Sequence, residues 1–396
     1  MGGIGCENQI LWIGAIAWLK DDRTYFPEVT YPGIVSGSAF QQAIIEGLEQ
    51  QGQRIRILSD GDMSTTDRVE WSHNGISEDV RVAGNGNRFL RIPKKIKELL
   101  IEIKKPCYLD GIDIVCAYEM HLPYLLCLHR IKRKKANIKT VLVCPDLSIY
   151  MDLDFTRKPI KRILKKVEYF VSRYLLKCVD GYVLFTEHMK EYFINYGKPY
   201  VVVEGVYCDK YSLKSTEKRP FIMHAGSLHY NTGIEELISA FERIDENELE
   251  LWFFGSGAMD GYIQNVCRGN NKVKHMGFVS PDELFEYEKQ ATLLVNVRNP
   301  KETYTKYSFP SKTFEYMASG TPLLSTDLQG IPENYKEHLL LIKNNSVQAI
   351  SEGLRKALAM SCEERKMFGE SARKFVMEQK NKVIQSSKIL KFFSEL

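Results

Sequence analysis

Ser311, Lys312 and Glu315 stand where they could do chemistry on a phosphate and a pair of hydroxyls. They belong to the stretch Tyr307-Ser-Phe-Pro-Ser-Lys-Thr-Phe-Glu-Tyr-Met-Ala-Ser-Gly-Thr-Pro322. Pro310 predicts the opening of a helix there, Gly320 its end, and Pro322 the start of the next strand. At about 100° per residue, Ser311, Lys312, Glu315 and Ser319 share one arc, and Phe314, Met317 and Ala318 share the opposite, apolar arc. Free N–H groups in the first turn and the positive end of the helix dipole suit a phosphate, and Lys312 adds a full charge. Glu315, one turn deeper, could accept hydrogen bonds from vicinal hydroxyls. Diphosphate beside diol describes a nucleotide sugar. The plainer alternative is a solvated helix face, but the Pro-Ser-Lys opening and the Ala-Ser-Gly-Thr-Pro exit favour a site.

Such a helix needs a sheet behind it. The pattern from Phe221 onward predicts strands over Phe221 to Gly226, Leu249 to Gly255, Val273 to Val279 and Thr292 to Val297, with helices over Ile234 to Ile244 and Asp282 to Gln290. Gly226 and Ser227 end the first of these strands and Gly255 the second, where the lack of a Cβ lets a ligand approach the backbone; turn formation alone would also explain each glycine. Three C-terminal helices are predicted over Ser346 to Met360, Cys362 to Gln379 and Lys382 to Leu396.

The first half repeats the α/β alternation. Ile10 to Leu19 reads as a core strand. The helix after it has Ser38 as candidate N-cap, Phe40, Ala43, Ile44 and Leu48 as its core stripe, and Gly52 as its stop. Strands follow over Arg54 to Leu58, Ile112 to Tyr118, Thr140 to Cys144, Gly181 to Phe185 and Tyr200 to Val203, with helices over Ile92 to Lys105 and Leu122 to Lys134. The loop before Ser38 lacks GxGxxG, so nothing marks a dinucleotide fingerprint. Loops after the strand ends draw attention to Asp146 and Thr186; a turn-forming Asp after Pro145 explains Asp146 as well. Residues 211–380 make a second Rossmann-like domain after a first one over 1–210, with 381–396 a terminal helix.

Composition bounds the class. With 396 residues, 44% hydrophobic and 26% charged, the chain reads as an ordinary globular protein of two domains. Nine cysteines without CxxC spacing argue for reduced thiols, and eight histidines show no ligand spacing such as HExxH, so no metal is expected. The longest apolar run is about ten residues, too short for a bilayer span, and lacks the flanks of a signal peptide. The formal net charge of +4 arises before Lys210. Two basic segments stand out, Arg130 to Lys135 and the predicted helix Arg157 to Lys177, and in the second Lys161, Arg162, Lys165 and Lys166 alternate with Ile160, Ile163, Leu164, Val167 and Phe170. Such a helix could lie on an anionic membrane surface, or face a core with a solvated basic back. No aromatic platform or helix-turn-helix accompanies the charge, which speaks against nucleic acid.

The stretch Phe309 to Pro322 resembles the donor motif F-P-S-K-x-x-E-Y-M-A-S-G-x-P of retaining GT-B glycosyltransferases, family 4, in the bacterial polysaccharide branch. The resemblance covers nearly the whole chain and is most specific from Phe221 to Glu333. It implies an α/β GT-B fold, two Rossmann-like domains facing across a cleft, with the C-terminal helix crossing back to the N-terminal domain near Ile389, Leu390 and Phe393. It implies donor contacts at Gly226, Ser227, Gly255, Val279, Arg298, Glu302, Tyr307, Pro310, Ser311, Lys312 and Glu315, the last on the ribose. It makes Asp146 and Lys312 the catalytic candidates and Gly37, Ser38 and Asp146 the acceptor candidates.

The implied activity is hexosyl transfer from a nucleotide sugar, UDP-linked by preference, to a glycan or polyprenyl-diphosphate-linked acceptor in surface polysaccharide biosynthesis. It needs no cofactor, and the protein would sit in the cytoplasm, peripheral on the inner face of the plasma membrane. The sequence departs from the family at Tyr307, where a second glutamate is common, and at Ser227 and Thr232, where a basic pair is common. Arg298, Lys306 and Lys312 could restore the charge, and Glu302 the acid. These departures keep open a non-catalytic GT-B scaffold or partner subunit that binds nucleotide or glycan. A GT-B sugar-nucleotide epimerase fits less specifically. Asp152-Leu-Asp154 resembles a manganese-binding DxD but is expected to be an acidic cluster before the basic helix.

Overall fold

The run Ile10 to Ile13 has no polar side chain, as a strand covered on both faces requires, and all four residues are fully buried. They belong to the first of two parallel sheets. The computed structural model describes residues 9–16, 32–59, 70–73, 77–81, 91–147, 159–207 and 216–396; within 32–36, 70–73, 77–81, 91 and 159–166 it describes the backbone alone. The chain divides into two compact units, Met1–Val206 with Lys382–Leu396, and Tyr207–Asn381.

The first unit contains β1 (Gln9–Gly14), β2 (Arg54–Ser59), β3 (Glu70–His73), β4 (Ser77–Arg81), β5 (Ile114–Tyr118), β6 (Lys139–Cys144), β7 (Gly181–Leu184) and β8 (Tyr200–Val202). They run in the order β3-β4-β2-β1-β5-β6-β7-β8, parallel except for the β3–β4 pair. Its helices are α1 (Pro32–Glu49), α2 (Arg91–Glu102), α3 (Leu122–Lys134), α4 (Pro159–Leu175), the short α5 (Lys190–Phe193) and, from the chain's end, α13 (Lys382–Ser394). Helix α13 lies along α1. Lys382 pairs with Glu46 at 2.9 Å, the Ser387 hydroxyl donates to Gln51 Oε1 at 2.6 Å, and Ile389, Phe392 and Phe393 join Ile10, Trp12, Phe40 and Ile44 in one core. A Cβ on Gly47 would fall 2.3 Å from the Lys382 carbonyl, so glycine lets these two helices approach.

The second unit contains β9 (Arg219–Ser227), β10 (Glu250–Ser256), β11 (Val273–Gly277), β12 (Ala291–Asn296), β13 (Leu323–Thr326) and β14 (Leu340–Ile342), in the order β11-β10-β9-β12-β13-β14, all parallel. Helices α6 (Ile234–Phe241), α7 (Asp260–Gly269) and α11 (Val347–Ala359) bury Leu237, Ile263 and Leu354 on one face. Helices α8 (Pro281–Gln290), α9 (Lys312–Ser319), the short α10 (Glu333–Lys336) and α12 (Cys362–Gln379) bury Phe285, Met317, Tyr335 and Phe375 on the other. Each unit is thus a Rossmann-like α/β layer structure.

Several sequence expectations change here. Helix α1 begins at Pro32, so Ser38 is not its N-cap but an interior residue, 3% exposed. Gly52 follows the helix end at φ +80°. The pair β3–β4 and helix α7 were not expected: β3 and β4 are polar four- and five-residue strands, too short for a periodicity to show. Ser319 is buried rather than on the polar arc, because its hydroxyl donates to the Tyr316 carbonyl and accepts from the Thr321 amide. Trp18, Leu19 and the Asp152-Leu-Asp154 cluster lie outside the described residues.

Of the apolar stripe expected on α4, only Val167 and Phe170 have described side chains. Val167 and Phe170, members of its apolar stripe, are 54% and 69% exposed, while Ser172, Leu175 and Leu176 are buried behind them.

Candidate functional site

In the second unit, successive strands are laid first to one side of β9 and then to the other, so the loops after β9 and β12 part on opposite faces of the sheet. That is the topological switch point, where open parallel sheets bind ligands beyond their carboxyl ends. The chain crowds there without side chains. A Cβ on Gly255 would fall 2.0 Å from the Gly226 carbonyl, and one on Gly233 2.2 Å from the Val297 carbonyl. Both glycines adopt positive φ, +112° and +78°. The Tyr304 hydroxyl donates to the Asn231 carbonyl at 3.1 Å and the Thr326 hydroxyl to the Arg298 carbonyl at 2.7 Å, tying the loop after β12 to its neighbours.

Helix α9 points its first turn at this edge and is locked to it by Tyr316. The fully buried Tyr316 hydroxyl accepts from the Ala225 amide at 2.6 Å and donates to the Ala225 carbonyl at 3.2 Å, one residue before Gly226. The first turn is tight: the Thr313 amide donates to the Pro310 carbonyl and the Phe314 amide to the Ser311 carbonyl. Ser311 and Lys312 therefore supply the open amides at the head of the helix. Gly320 ends it at φ +75°.

At that head Lys312 sits between two carboxylates. Its ammonium pairs with Glu315 on its own helix and stands 3.7 Å from Glu288 on α8. Lys312 keeps a quarter of its side chain exposed, Glu315 rather more, and Glu288 none. Neither Glu288 oxygen has a hydrogen-bond partner. One ammonium cannot neutralise two carboxylates out of water, so the buried one holds its proton: burial pushes Glu288 up to about 8, with Lys312 opposing and Glu315 reinforcing the shift. Burial pulls the Lys312 ammonium down, but Glu315 and Glu288 together hold it above its ordinary value.

The remaining expected donor residues lie along the same sheet edge or its loops. Gly226, Ser227 and Gly255 sit side by side, since Gly255 pairs with Gly226 and Ser256 with Ser227. Arg298 stands close enough that its charge helps depress His224, which burial already pulls down to about 4. Pro310 is buried and Ser311 exposed. Val279 packs partly against the core beside Tyr287, while the neighbouring Ser280 is committed to a capping box with Glu283. Glu302 is exposed on the loop after β12, and Tyr307 carries the Lys306 ammonium 5.4 Å over its ring. Thr232, which stands where a basic residue is common, is buried with its hydroxyl donated to the His229 carbonyl.

The acceptor candidates belong to the first unit. Gly37 faces the Tyr118 ring, where an added Cβ would meet the ring at 3.4 Å. Burial raises the Tyr118 phenol well above its ordinary value, and Glu119 and Asp146 add to the shift, so Gly37, Tyr118 and Asp146 form one neighbourhood beyond β5 and β6. Ser38 turns inward and offers little surface. The side chains of Lys161, Arg162, Lys165 and Lys166 are outside the described part of α4.

Sequence reading missed Glu288. The signal was present: Glu288 follows Leu284 by four and Phe285 by three, which puts an acid on the apolar arc of α8.

Residues 209–375 match the family "Glycosyl transferases group 1". No curated protein matches the chain. Among solved structures it is similar to sucrose-phosphate synthase from Thermosynechococcus elongatus, with TM-score 0.70 and 15% identity over 98% of this chain and 99% of the other. It is similar to the α,α-trehalose 6-phosphate synthase of Burkholderia multivorans, with TM-score 0.65 and 11% identity over 98% and 96%. It is also similar to the Anabaena protein HepE in complex with UDP, with TM-score 0.63 and 12% identity over 98% and 100%. At these identities the likeness shows the fold, which is GT-B with two Rossmann-like domains. Among the described residues no group of His, Cys, Asp and Glu could hold a metal ion, and no helix is long and apolar enough to cross a membrane.

Proposed function

We propose, on the premise that residues 209–375 are a group 1 glycosyltransferase domain, that the chain is a retaining enzyme that takes a sugar from a nucleotide donor, UDP-linked by preference. It passes the sugar to a glycan or lipid-linked glycan in surface polysaccharide biosynthesis, working at the inner face of the plasma membrane. The observation that carries the reading is the Lys312 ammonium held between Glu315 and Glu288 at the head of α9, on the switch-point edge of the sheet. The UDP in the similar HepE structure supports the choice of base. The placement in family 4 and in the polysaccharide branch rests on the Phe309 to Pro322 motif.

In this reading Lys312 exchanges Glu315 for the donor diphosphate, joined by the amides of Ser311 and Lys312 and by Arg298. Glu315, released, accepts from the ribose hydroxyls. The bond between the anomeric carbon and the phosphate oxygen breaks with its electron pair going to the nucleoside diphosphate, whose growing charge Lys312 and the helix head stabilise. The acceptor hydroxyl bonds the same face of that carbon and gives its proton to the departing phosphate oxygen. Asp146, with Gly37, lines the acceptor side. No step calls for a metal.

The departures at Tyr307 and Thr232 favour the second reading, a scaffold that binds nucleotide or glycan without turnover; Arg298 beside His224 and Tyr316 answers it by supplying charge at the switch point. The test is a thermal-shift panel of UDP, GDP, ADP and CMP followed by nucleotide release with glycan acceptors. A midpoint shift with UDP and acceptor-dependent release are expected. Binding without release on any acceptor moves the scaffold ahead, and no shift with any nucleotide overturns the donor-enzyme reading and leaves a glycan-binding scaffold in its place.

A further inference from the structure

An amphipathic helix on a globular unit buries its apolar stripe and shows its polar face to water. Over its described side chains helix α4 buries Ser172 and Leu175 on one side and leaves an apolar stripe uncovered on the other. Val167, Phe170, Val171 and Tyr174, at the i, i+3, i+4, i+7 spacing of one face, are 54%, 69%, 38% and 62% exposed. Arg173 and Lys177 run along one edge of that stripe. Beside them opens a cavity of about 500 Å³ lined by Arg173, Tyr174, Lys177, Asn195, Tyr196 and Lys198. Ile194, next in the chain to the lining residue Asn195, is 71% exposed.

The cavity is built. Arg173 donates to the Tyr169 hydroxyl at 3.0 Å and lies 5.9 Å over the Tyr196 ring, and the Tyr196 hydroxyl returns a hydrogen bond to the Arg173 carbonyl at 3.1 Å. Lys177 lies 5.6 Å over the Tyr174 ring. Among the described residues Arg173, Lys177 and Lys198 have no carboxylate partner, so three positive charges converge on the cavity without a counter-charge.

We propose that this face of α4 docks on an anionic bilayer, with the phosphate of a lipid headgroup held by Arg173, Lys177 and Lys198 and with Val167, Phe170, Val171 and Tyr174 entering the acyl boundary. Charge complementarity decides the occupant: an apolar stripe edged by unpaired cations and by two tyrosines matches a surface that is anionic outside and apolar beneath. The inference rests on the membrane-peripheral part of the function above and names the surface that would serve it.

The test is co-sedimentation of the full chain with vesicles of phosphatidylcholine, with and without phosphatidylglycerol. It compares Lys177→Gln with Lys198→Gln, Phe170→Ser with Tyr174→Ser, and neutralised Lys161, Arg162, Lys165 and Lys166. Wild type is expected to bind only the anionic vesicles. Each of the first two double variants should weaken that binding by roughly tenfold or more, with the melting midpoint and the UDP shift unchanged. Both lysines are exposed and Lys177 lies only over the exposed Tyr174 ring, so the lysine pair remains decisive even if the Phe170 and Tyr174 variant folds poorly.

No wild-type binding to anionic vesicles overturns this inference together with the membrane-peripheral reading. Wild-type binding that the lysine pair leaves untouched, while the quadruple variant abolishes it, overturns this surface alone. Full competition by millimolar inorganic phosphate points to a soluble anion and overturns the bilayer. So does self-association that Phe170→Ser with Tyr174→Ser removes in the absence of lipid.

Discussion

The head of α9 and the outer face of α4 handle charge in opposite ways. At α9 the charges turn inward: Lys312 is boxed by Glu315 and by the wholly buried Glu288, and Tyr316 pins the helix to the Ala225 backbone. Beside the described part of α4, Arg173, Lys177 and Lys198 have no carboxylate partner among the described residues and stand next to exposed apolar side chains. A pocket that already contains compensating charges can exchange one partner for a ligand of similar charge without exposing a buried ion. A surface that leaves both its charges and its apolar atoms uncovered is suited to something broad. The first arrangement suits the small-molecule site proposed above, the second the interface.

The comparison breaks most severely where the switch-point backbone is closest. Gly255→Val adds a β-branched side chain at φ +112° with its Cβ 2.0 Å from the Gly226 carbonyl. The expected loss is about 4 kcal/mol, read by calorimetry as a midpoint fall of roughly 10 °C. An unchanged midpoint would mean that β9 and β10 do not approach as described. Lys312→Met comes next. It keeps the side-chain length and removes the charge, and transfer should slow by a factor of roughly 100 to 1,000, near 3 kcal/mol in barrier. Turnover within threefold of wild type would remove Lys312 from the mechanism.

Glu315→Ala sharpens the comparison by separating two roles in one residue. Nucleotide affinity should fall by about 1–3 kcal/mol, the range for hydrogen bonds to a charged group, in a titration followed by calorimetry. Inorganic diphosphate should lose less, because Lys312, no longer held by Glu315, stays available to it. Equal losses for both ligands would show that Glu315 serves only to place Lys312.

How far these features were legible in sequence depends on the range of the interactions behind them. Helix α9, its glycine stop and the strands around it were readable because their signals are local: proline, glycine and apolar spacing within a dozen residues. Leu122–Lys134 was readable for the same reason, as a periodic run bounded by Pro123 and a lysine-rich end. Ser38 misled because the rule for N-caps is local while the helix start at Pro32 is not marked by a capping residue. The site itself was half readable. Lys312 and Glu315 share a helix and could be paired by counting, whereas Glu288 reaches Lys312 from another helix, and only packing brings them together. The outward turn of the α4 stripe was equally hidden, since periodicity identifies an apolar face without saying what it faces.

Glu288 allows the smallest and most specific test. Its carboxyl is neutral in the folded chain up to about pH 8, whereas in the unfolded chain it ionises near its ordinary 4.5. Between those values the folded state holds a proton that the unfolded state has released, so stability must fall as pH rises through the window; below it both states are neutral and the slope vanishes. The groups facing Glu288 are Lys312 and Glu315, with the Tyr316 phenol close enough to be raised further by its charge. Lys312 stays charged across the window, so it adds no slope of its own. Glu288→Gln keeps the shape and removes the titration. The difference in melting midpoint between variant and wild type should therefore grow by a few degrees in the variant's favour from pH 5 to pH 8, in the same buffers and salt. A flat difference would mean that Glu288 is ionised beside Glu315, that the pocket carries a net negative charge, and that an incoming diphosphate meets repulsion where the proposed mechanism needs attraction.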